Sequence, residues 1–250
     1  MTKLFALFFM LFSKLGIFLK FAKFGKTFIS MFFMIVTYAL FYGWKFAVGF
    51  VLLIFLHEMG HVIAARQVGI PTSAPMFIPF VGAFITPGRA SMSAREEFVM
   101  AAGGPALGIA ASYGCYLIGT TFDLELMIAL AYTGLVMNLF NLIPFGFMDG
   151  GRMASTLSVW MWGFGLVAFL GLVIVSGNPL LFLFFLMGAY QMYSVYRSPY
   201  QFEQIRAYGS ERTLFASVYI GMILVAGWGA YESFQALQLL KGGLLGNNSI

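Results

Sequence analysis

Long apolar stretches recur along the chain from one end to the other, separated by short polar segments or by segments with glycine and proline. Most of them approach the roughly 20 residues that a helix needs to cross a bilayer. The pattern predicts an all-α polytopic membrane protein with about six to seven transmembrane helices. The predicted spans lie at about residues 28–42, 46–66, 98–120, 124–143, 158–176, 180–196 and 214–236.

One segment, at about residues 67–95, interrupts this pattern with repeated prolines and glycines, which do not permit a regular helix. Its apolar pieces, residues 76–80 and 81–86, are too short to cross a membrane but too apolar for a free loop. We therefore expect a short re-entrant or interfacial segment near residues 70–88, with some extended structure.

The composition supports a membrane location. Hydrophobic residues make up 61% of the chain and charged residues 9%, whereas soluble proteins contain roughly 45–50% and 25%. Basic residues outnumber acidic ones by 14 to 9, and in such a chain they set topology and meet anionic lipid, so we expect no nucleic-acid partner. The single cysteine, Cys115, excludes an intramolecular disulfide.

The distribution of basic residues predicts the orientation. Residues 1–27 contain lysines and no acid, which favours a basic amphipathic helix on the cytoplasmic leaflet, with a lysine-flanked span as the alternative. If the N-terminus is cytoplasmic, every lysine and arginine except Lys45 and Lys241 falls inside, as the positive-inside rule requires. We expect a multi-pass protein of the plasma membrane.

The chemistry is concentrated in residues 57–61, His-Glu-Met-Gly-His, which hold both histidines of the chain within an apolar predicted span. Positions i and i+4 share a face of a helix, so His57 and His61 can bind one metal ion. Glu58 then lies beside the attacking water as a general base. This spacing is typical of zinc hydrolases, and here it lies inside a membrane.

A catalytic zinc usually takes a third protein ligand. The candidates are Cys115 and the acids. Most of the acids lie at the outer turn or in the late loops and spans, where solvent or the interface accounts for them, which leaves Asp149, Glu96 and Glu97. Glu96 and Glu97 follow Ser91 and Ser93, where acids stabilise a helix N-terminus, and they remain a second choice.

Asp149 lies among apolar residues, where a carboxylate is costly unless a cation compensates it. A turn aspartate paired with Arg152 is the alternative interpretation. Because the two histidines are expected at the same depth on a neighbouring span, we predict Asp149 as the third ligand and place the site nearer the cytoplasmic face.

These motifs resemble the site-2 protease family of intramembrane zinc metalloproteases. The resemblance rests on residues 57–61, on Asn141-x-x-Pro144 leading to Asp149-Gly150-Gly151, and on Ala102-Gly103-Gly104-Pro105, which looks like the family's Gly-Pro helix start. It covers residues 44–152. The resemblance implies one Zn²⁺ per chain, held by His57, His61 and Asp149, with Glu58 as general base and acid and Asn141 as a substrate-binding residue.

The resemblance also implies a function and an organisation. We expect a metalloendopeptidase that cleaves transmembrane protein substrates in regulated intramembrane proteolysis, as a compact member without PDZ or CBS domains. The predicted parts are an amphipathic segment and first helix (1–43), a catalytic core (44–152) and additional C-terminal helices (153–250). Residues 145–148 depart from the family's usual proline and leucine before the Asp-Gly pair. The oligomeric state stays open.

Several alternatives remain. An exposed strand edge near residues 70–88 could pair with unwound substrate backbone, or the segment is only a hydrophobic loop. Asn141 could serve helix packing alone, and the Gly104-x-x-x-Gly108 pattern favours close helix approach. A metal-ion transporter or channel and a catalytically idle membrane binding module are the competing functions. Glu58 argues against the transporter, as does the lack of a visible inverted repeat.

Overall fold

The structure, a computed structural model, describes residues 25–89, 91–197 and 206–246, with side chains as far as residue 240. The amphipathic segment predicted at the N-terminus lies outside the described residues. The helices are α1 (Gly25–Tyr42), α2 (Trp44–Gln67), α3 (Ala94–Thr121), α4 (Glu125–Asn141), α5 (Asp149–Leu157), α6 (Trp162–Ser176), α7 (Pro179–Arg197) and α8 (Gly209–Gly246). A 3₁₀ turn, Val159–Met161, precedes α6, and the strands are β1 (Met76–Ile78) and β2 (Gly82–Phe84).

Six apolar helical stretches within the described residues have the length and composition to cross a membrane, namely α1, α2, α3, Val159–Ser176, α7 and Gly209–Leu240 of α8. The apolar helix α4 is shorter, with 17 residues. All seven predicted spans are therefore helical, which confirms the predicted fold class and a multi-pass integral membrane protein. The short helix α5 was not predicted, because it lies between the predicted spans at residues 124–143 and 158–176.

The start of α3 corrects one part of the sequence interpretation. The helix begins after Ser93, whose side chain accepts from the Glu96 backbone N–H while the Glu96 carboxylate accepts from the Ser93 N–H. This capping box satisfies two of the free donors at the helix start. Pro105 consequently lies inside α3 and does not start a helix, so the expected Gly-Pro helix start is wrong.

Glycines allow the helices of the core to approach closely. A Cβ on Gly60 of α2 would lie 2.1 Å from the carbonyl oxygen of Gly103 in α3, and a Cβ on Gly103 would lie 2.5 Å from the Gly60 oxygen. Only hydrogen atoms fit between these backbones. The contact brings the histidine-bearing helix α2 directly against α3, while α4 packs against both and α8 covers α3 and α4.

The two strands form an antiparallel hairpin, with Phe77 opposite Ala83, so the predicted extended structure near residues 70–88 is present. Three side chains of α1 bind this hairpin and its approach. Thr27 donates to the Pro75 carbonyl (2.7 Å), the Ser30 hydroxyl accepts from the Phe77 N–H (3.2 Å), and the Tyr38 hydroxyl accepts from the Phe80 N–H (3.3 Å). The outer edge of β1 is therefore covered by α1, and β2 is left as the open edge.

Candidate metal centre

Three side chains that lie far apart in the sequence meet in the interior. Nε2 of His57 lies 3.0 Å from Oδ2 of Asp149, Nε2 of His61 lies 3.2 Å from Oδ1 of Asp149, and the two Nε2 atoms are 3.2 Å apart. All three residues are buried, with 4–9% of their surface exposed. Among the described residues, this is the one group of three or more histidine, cysteine or acidic side chains with metal-ligand spacing.

The orientation of His57 is set by helix α4. Its Nδ1 lies 3.0 Å from Oδ1 of Asn138, and the Asn138 amide nitrogen donates to the Gly134 carbonyl at 2.8 Å. Because the amide nitrogen is used by that carbonyl, the oxygen of Asn138 faces the imidazole and accepts its Nδ1–H. In the neutral tautomer that this contact favours, Nε2 of His57 carries a lone pair that faces the cluster.

The orientation of His61 is set by helix α3. Its Nδ1 lies 2.8 Å from the carbonyl oxygen of Met100, shorter than the 3.2 Å that separates the same atom from the Gly104 amide nitrogen. The shorter contact makes Nδ1 the donor to Met100. Nε2 of His61 therefore also presents a lone pair to the cluster, and a carbonyl in this outer position is the usual partner of a metal-binding histidine.

Two imidazole lone pairs and a carboxylate thus face one another at close range, an arrangement that a cation between them would stabilise. In a tetrahedral site with metal–nitrogen distances near 2.05 Å, neighbouring ligand atoms lie about 3.3 Å apart. The observed separations of 3.0–3.2 Å fit that geometry. Two histidines and one carboxylate also form a donor set found at catalytic zinc.

A cavity of about 430 Å³ opens beside this cluster. Glu58 lines it together with both histidines and Asp149, and Glu58 is itself 5% exposed. The far wall includes residues 80–85, which carry the hairpin turn and β2. The cavity therefore connects the metal-ligand cluster and a buried carboxylate to an open strand edge.

The remaining acids considered as ligands have other partners. Glu96 belongs to the capping box of α3 and pairs with Arg89. Glu97 accepts from Nε of Arg152 at 2.6 Å. Arg152 is thus paired with Glu97 across the α3–α5 contact and not with Asp149, which corrects the alternative interpretation of Asp149 as a turn residue bound to Arg152.

Two asparagines of α4 lie near the site, and the sequence analysis singled out one of them. Asn141 lines the cavity and is half-buried. Asn138, the fully buried partner of His57, was missed. The signal was present, because an amide in an apolar helix usually has a partner, and positions 138 and 141 share a helix face.

The Gly104-x-x-x-Gly108 pattern has a more specific consequence than close helix approach. A Cβ on Gly104 would lie 2.2 Å from Nε2 of His61, and one on Gly108 would lie 2.4 Å from Oδ1 of Asn138. Both glycines of α3 therefore leave space for side chains that build the site. The Gly104 position makes room for the candidate ligand His61, and the Gly108 position makes room for Asn138, the hydrogen-bond partner of His57.

Comparison with known proteins gives a family match over the same core. The model of Peptidase family M50 matches residues 45–124, a range that contains His57, Glu58 and His61 and ends before Asp149. The chain is also 27% identical over 149 residues to Probable zinc metalloprotease EGY2, chloroplastic, of Arabidopsis thaliana. That alignment covers 42% of this chain and 26% of the relative.

The EGY2 proteins of Oryza sativa, subspecies indica and japonica, are each 27% identical over 152 residues, with 43% of this chain and 27% of the relative covered. The chain spans about a quarter of the length of these curated relatives. Among solved structures, the Site-2 Protease from Methanocaldococcus jannaschii matches with a TM-score of 0.47 and 19% identity, over 73% of this chain and 89% of that one.

The names of the relatives describe them as probable zinc metalloproteases, and the arrangement of His57, His61 and Asp149 could hold one metal ion. The core of this chain, residues 45–124, is therefore similar to Peptidase family M50.

Proposed function

We propose that this chain is an intramembrane zinc endopeptidase of the H-E-x-x-H type, which hydrolyses peptide bonds of transmembrane protein substrates within or near the bilayer. The observation that carries the proposal is the convergence of two imidazole lone pairs and the Asp149 carboxylate beside the buried Glu58. These groups line a single cavity within the apolar helices of a multi-pass membrane protein.

His57, His61 and Asp149 would hold one Zn²⁺ per chain. When bound there, zinc supplies a Lewis acid for a peptide carbonyl and makes a neighbouring water easier to deprotonate. The outer partners of the histidines, Asn138 and the Met100 carbonyl, keep each Nε2 free for this role. These two hydrogen bonds favour the tautomer of each histidine that carries its proton on Nδ1.

Glu58 is the proposed general base and acid. It follows His57 directly in α2 and lines the cavity, so its carboxylate can remove the proton of the attacking water and deliver it to the leaving amine. Burial at 5% exposure limits competition from bulk water for this carboxylate. This step requires Glu58 and no other described acid of the cavity wall, because Asp149 is engaged by the histidines.

Strand β2 and Asn141 are the proposed binding elements for the substrate backbone. The Phe77 N–H donates to Ser30 and so points away from β2, which makes Phe77 and Ala83 a pair without mutual hydrogen bonds. The N–H and C=O of Ala83 therefore point away from β1, on the open edge of the hairpin. An unwound substrate segment can add to this edge, while the amide of Asn141 contacts its backbone from the cavity wall.

The orientation and the membrane are part of the same proposal. A cytoplasmic N-terminus follows from the positive-inside rule and puts the site nearer the cytoplasmic face, with the plasma membrane as the expected location. The division into residues 1–43, 44–152 and 153–250 is likewise a proposal, with the central part carrying the chemistry. No feature of the described residues favours a metal-ion transporter, a channel or an idle binding module over the protease.

The proposal is tested with the purified chain and Glu58→Gln in detergent, each incubated with zinc and a panel of single-span substrates. We expect about one zinc per chain in both proteins, cleavage by the wild type, and a rate for Glu58→Gln lower by roughly 10²–10⁴-fold. A wild type that binds zinc but cleaves no substrate would count against the protease. Equal cleavage by Glu58→Gln would exclude the proposed mechanism, and zinc flux into liposomes would favour the transporter.

A further inference from the structure

Beside the cavity lies a partly buried ion pair without a role in the proposed chemistry, and its arginine, Arg152, lines the cavity wall. Nε of Arg152 donates to Oε1 of Glu97 at 2.6 Å, and their side chains are 24% and 12% exposed. Removing two charges from water costs free energy, which their attraction and hydrogen bonds have to offset. Burial acts to lower the pKa of Arg152, but the carboxylates of Glu97, Asp149 and Glu58 outweigh it, so the pKa is raised and the side chain stays charged.

The guanidinium group is only partly used by this pair. Glu97 engages Nε, and the terminal amino groups of Arg152 have no other hydrogen-bond partner among the described residues. A guanidinium carries five N–H donors in a rigid fork, so four donors remain. Arg152 lines the cavity, and it is the one lysine or arginine among the described residues that do so.

The position of Arg152 separates it from the metal centre. It follows Asp149 by one turn of α5, yet it binds Glu97 on α3 instead of the Asp149 carboxylate. Its charge is thereby held beside the metal ligands and not among them. A group at this place is better situated to contact a side chain next to the scissile bond than the carbonyl that is attacked.

We propose that Arg152 is a specificity-determining residue that binds the carboxylate of an aspartate or glutamate side chain close to the scissile bond of the substrate. The inference rests on the proposed endopeptidase function. Glu97 holds Nε and fixes the plane of the guanidinium, and the free amino groups bind the two oxygens of the substrate carboxylate. A substrate with such an acid is recognised at Arg152, the one arginine or lysine among the described residues of the cavity wall.

The test uses the full-length protein in detergent with zinc and a single-span substrate whose cleavage site has been mapped by mass spectrometry. Each of the three positions on either side of that site is replaced in turn by Asp, Asn, Ala or Lys, and kcat/KM is measured. Asn has the shape of Asp without its charge. We expect at least one position at which the wild type prefers Asp over Asn by about tenfold, the effect of a hydrogen-bonded charge pair.

Arg152→Gln should abolish this preference, so that kcat/KM for the Asp substrate falls to about that for the matched Asn substrate. Arg152→Gln leaves the Glu97 carboxylate without its partner. The double variant Arg152→Gln/Glu97→Gln removes both charges, leaves no unpaired carboxylate and should show the same loss of preference. Arg89→Gln is the matched control, since it breaks the other arginine–glutamate pair of this region, outside the cavity, and should keep the preference.

Three results would overturn the inference. They are a wild type without acid preference at any tested position, an Arg152→Gln protein that retains the preference, and an Arg152→Gln protein whose kcat falls equally for every substrate. The last would assign Arg152 to the reacting carbonyl instead. Failure of the endopeptidase proposal has a different signature, because the wild type would then cleave no substrate while it binds zinc.

Discussion

Asn138 and His57 face each other across the contact between α4 and α2, with the amide oxygen 3.0 Å from Nδ1 of the imidazole. The amide is fixed on its other side by the Gly134 carbonyl, one turn earlier in the same helix. A residue without any place in the known motif thereby decides which nitrogen of His57 faces the metal site. Hydrogen-bond partners of this kind tune metal affinity as well as ligand orientation.

Asn138→Ala should therefore weaken zinc binding by roughly 10–100-fold, the usual effect of removing an outer partner of a metal ligand. The expected cause is a free choice of tautomer at His57, whose Nδ1 would lose its acceptor. Zinc affinity is measured by competition with a chelator. Asn141→Ala is the control from the same helix face, and it should alter the KM for substrate with zinc affinity unchanged. Wild-type zinc affinity in Asn138→Ala would contradict the orienting role.

Gly104→Ala should displace His61, because the added Cβ would lie 2.2 Å from Nε2 of the ring. The imidazole is held by the Met100 carbonyl and cannot move aside without losing that bond. We expect zinc affinity to fall by about tenfold or more, on the scale of a lost outer partner. Gly114→Ala in the same helix meets no atom within 4 Å and should bind zinc normally. Equal zinc content in the two variants would exclude the close contact.

Asp149→Asn should abolish stoichiometric zinc binding, because the substitution removes the negative charge that balances the metal and replaces a carboxylate oxygen with an amide oxygen, which is a weaker zinc ligand. Zinc per chain is measured by elemental analysis of the purified protein. Glu96→Gln serves as the control, since Glu96 caps α3 and pairs with Arg89. Full zinc content in Asp149→Asn together with a loss in Glu96→Gln would move the third ligand to the start of α3.

Ala83→Pro should raise the KM for a transmembrane substrate about three- to tenfold, the effect of one lost backbone hydrogen bond. Proline removes the N–H that points away from β1 and leaves the pairing of β1 with β2 intact, because Ala83 and Phe77 exchange no hydrogen bond. Ala83→Val keeps the N–H and is the control. Zinc content should be unchanged in both variants, and an unchanged KM in Ala83→Pro would argue against strand addition.

The sequence was sufficient for features that depend on local pattern. Apolar length predicted every span now seen as a helix, and the i, i+4 spacing predicted that His57 and His61 share a face. Proline spacing predicted extended structure near residues 70–88, because proline excludes helix wherever it recurs. The helix start at Ser93 was visible in the same way, since a capping box is confined to four residues.

Other features required the tertiary structure. The sequence alone did not decide which of Glu96, Glu97 and Asp149 is the third metal ligand, because the answer depends on which helix ends meet in the fold. Glu97 turns to Arg152, 55 residues away, while Asp149 reaches His57 across 92 residues. Neither partner can be inferred from the spacing of charges, because the Glu97–Arg152 pair depends on the packing of α5 against α3 and the Asp149–His57 contact joins α5 to α2.

The sequence by itself determined a membrane protein with two histidines and a glutamate on one transmembrane helix, since length, apolarity and helical period are local properties of a chain. The tertiary structure alone decided that Asn138 and the Met100 carbonyl orient those histidines, that β2 is the open edge of the hairpin, and that Arg152 faces the cavity. Each of these depends on contacts between distant helices, whose packing is fixed by close backbone approach and shape and not by any short motif.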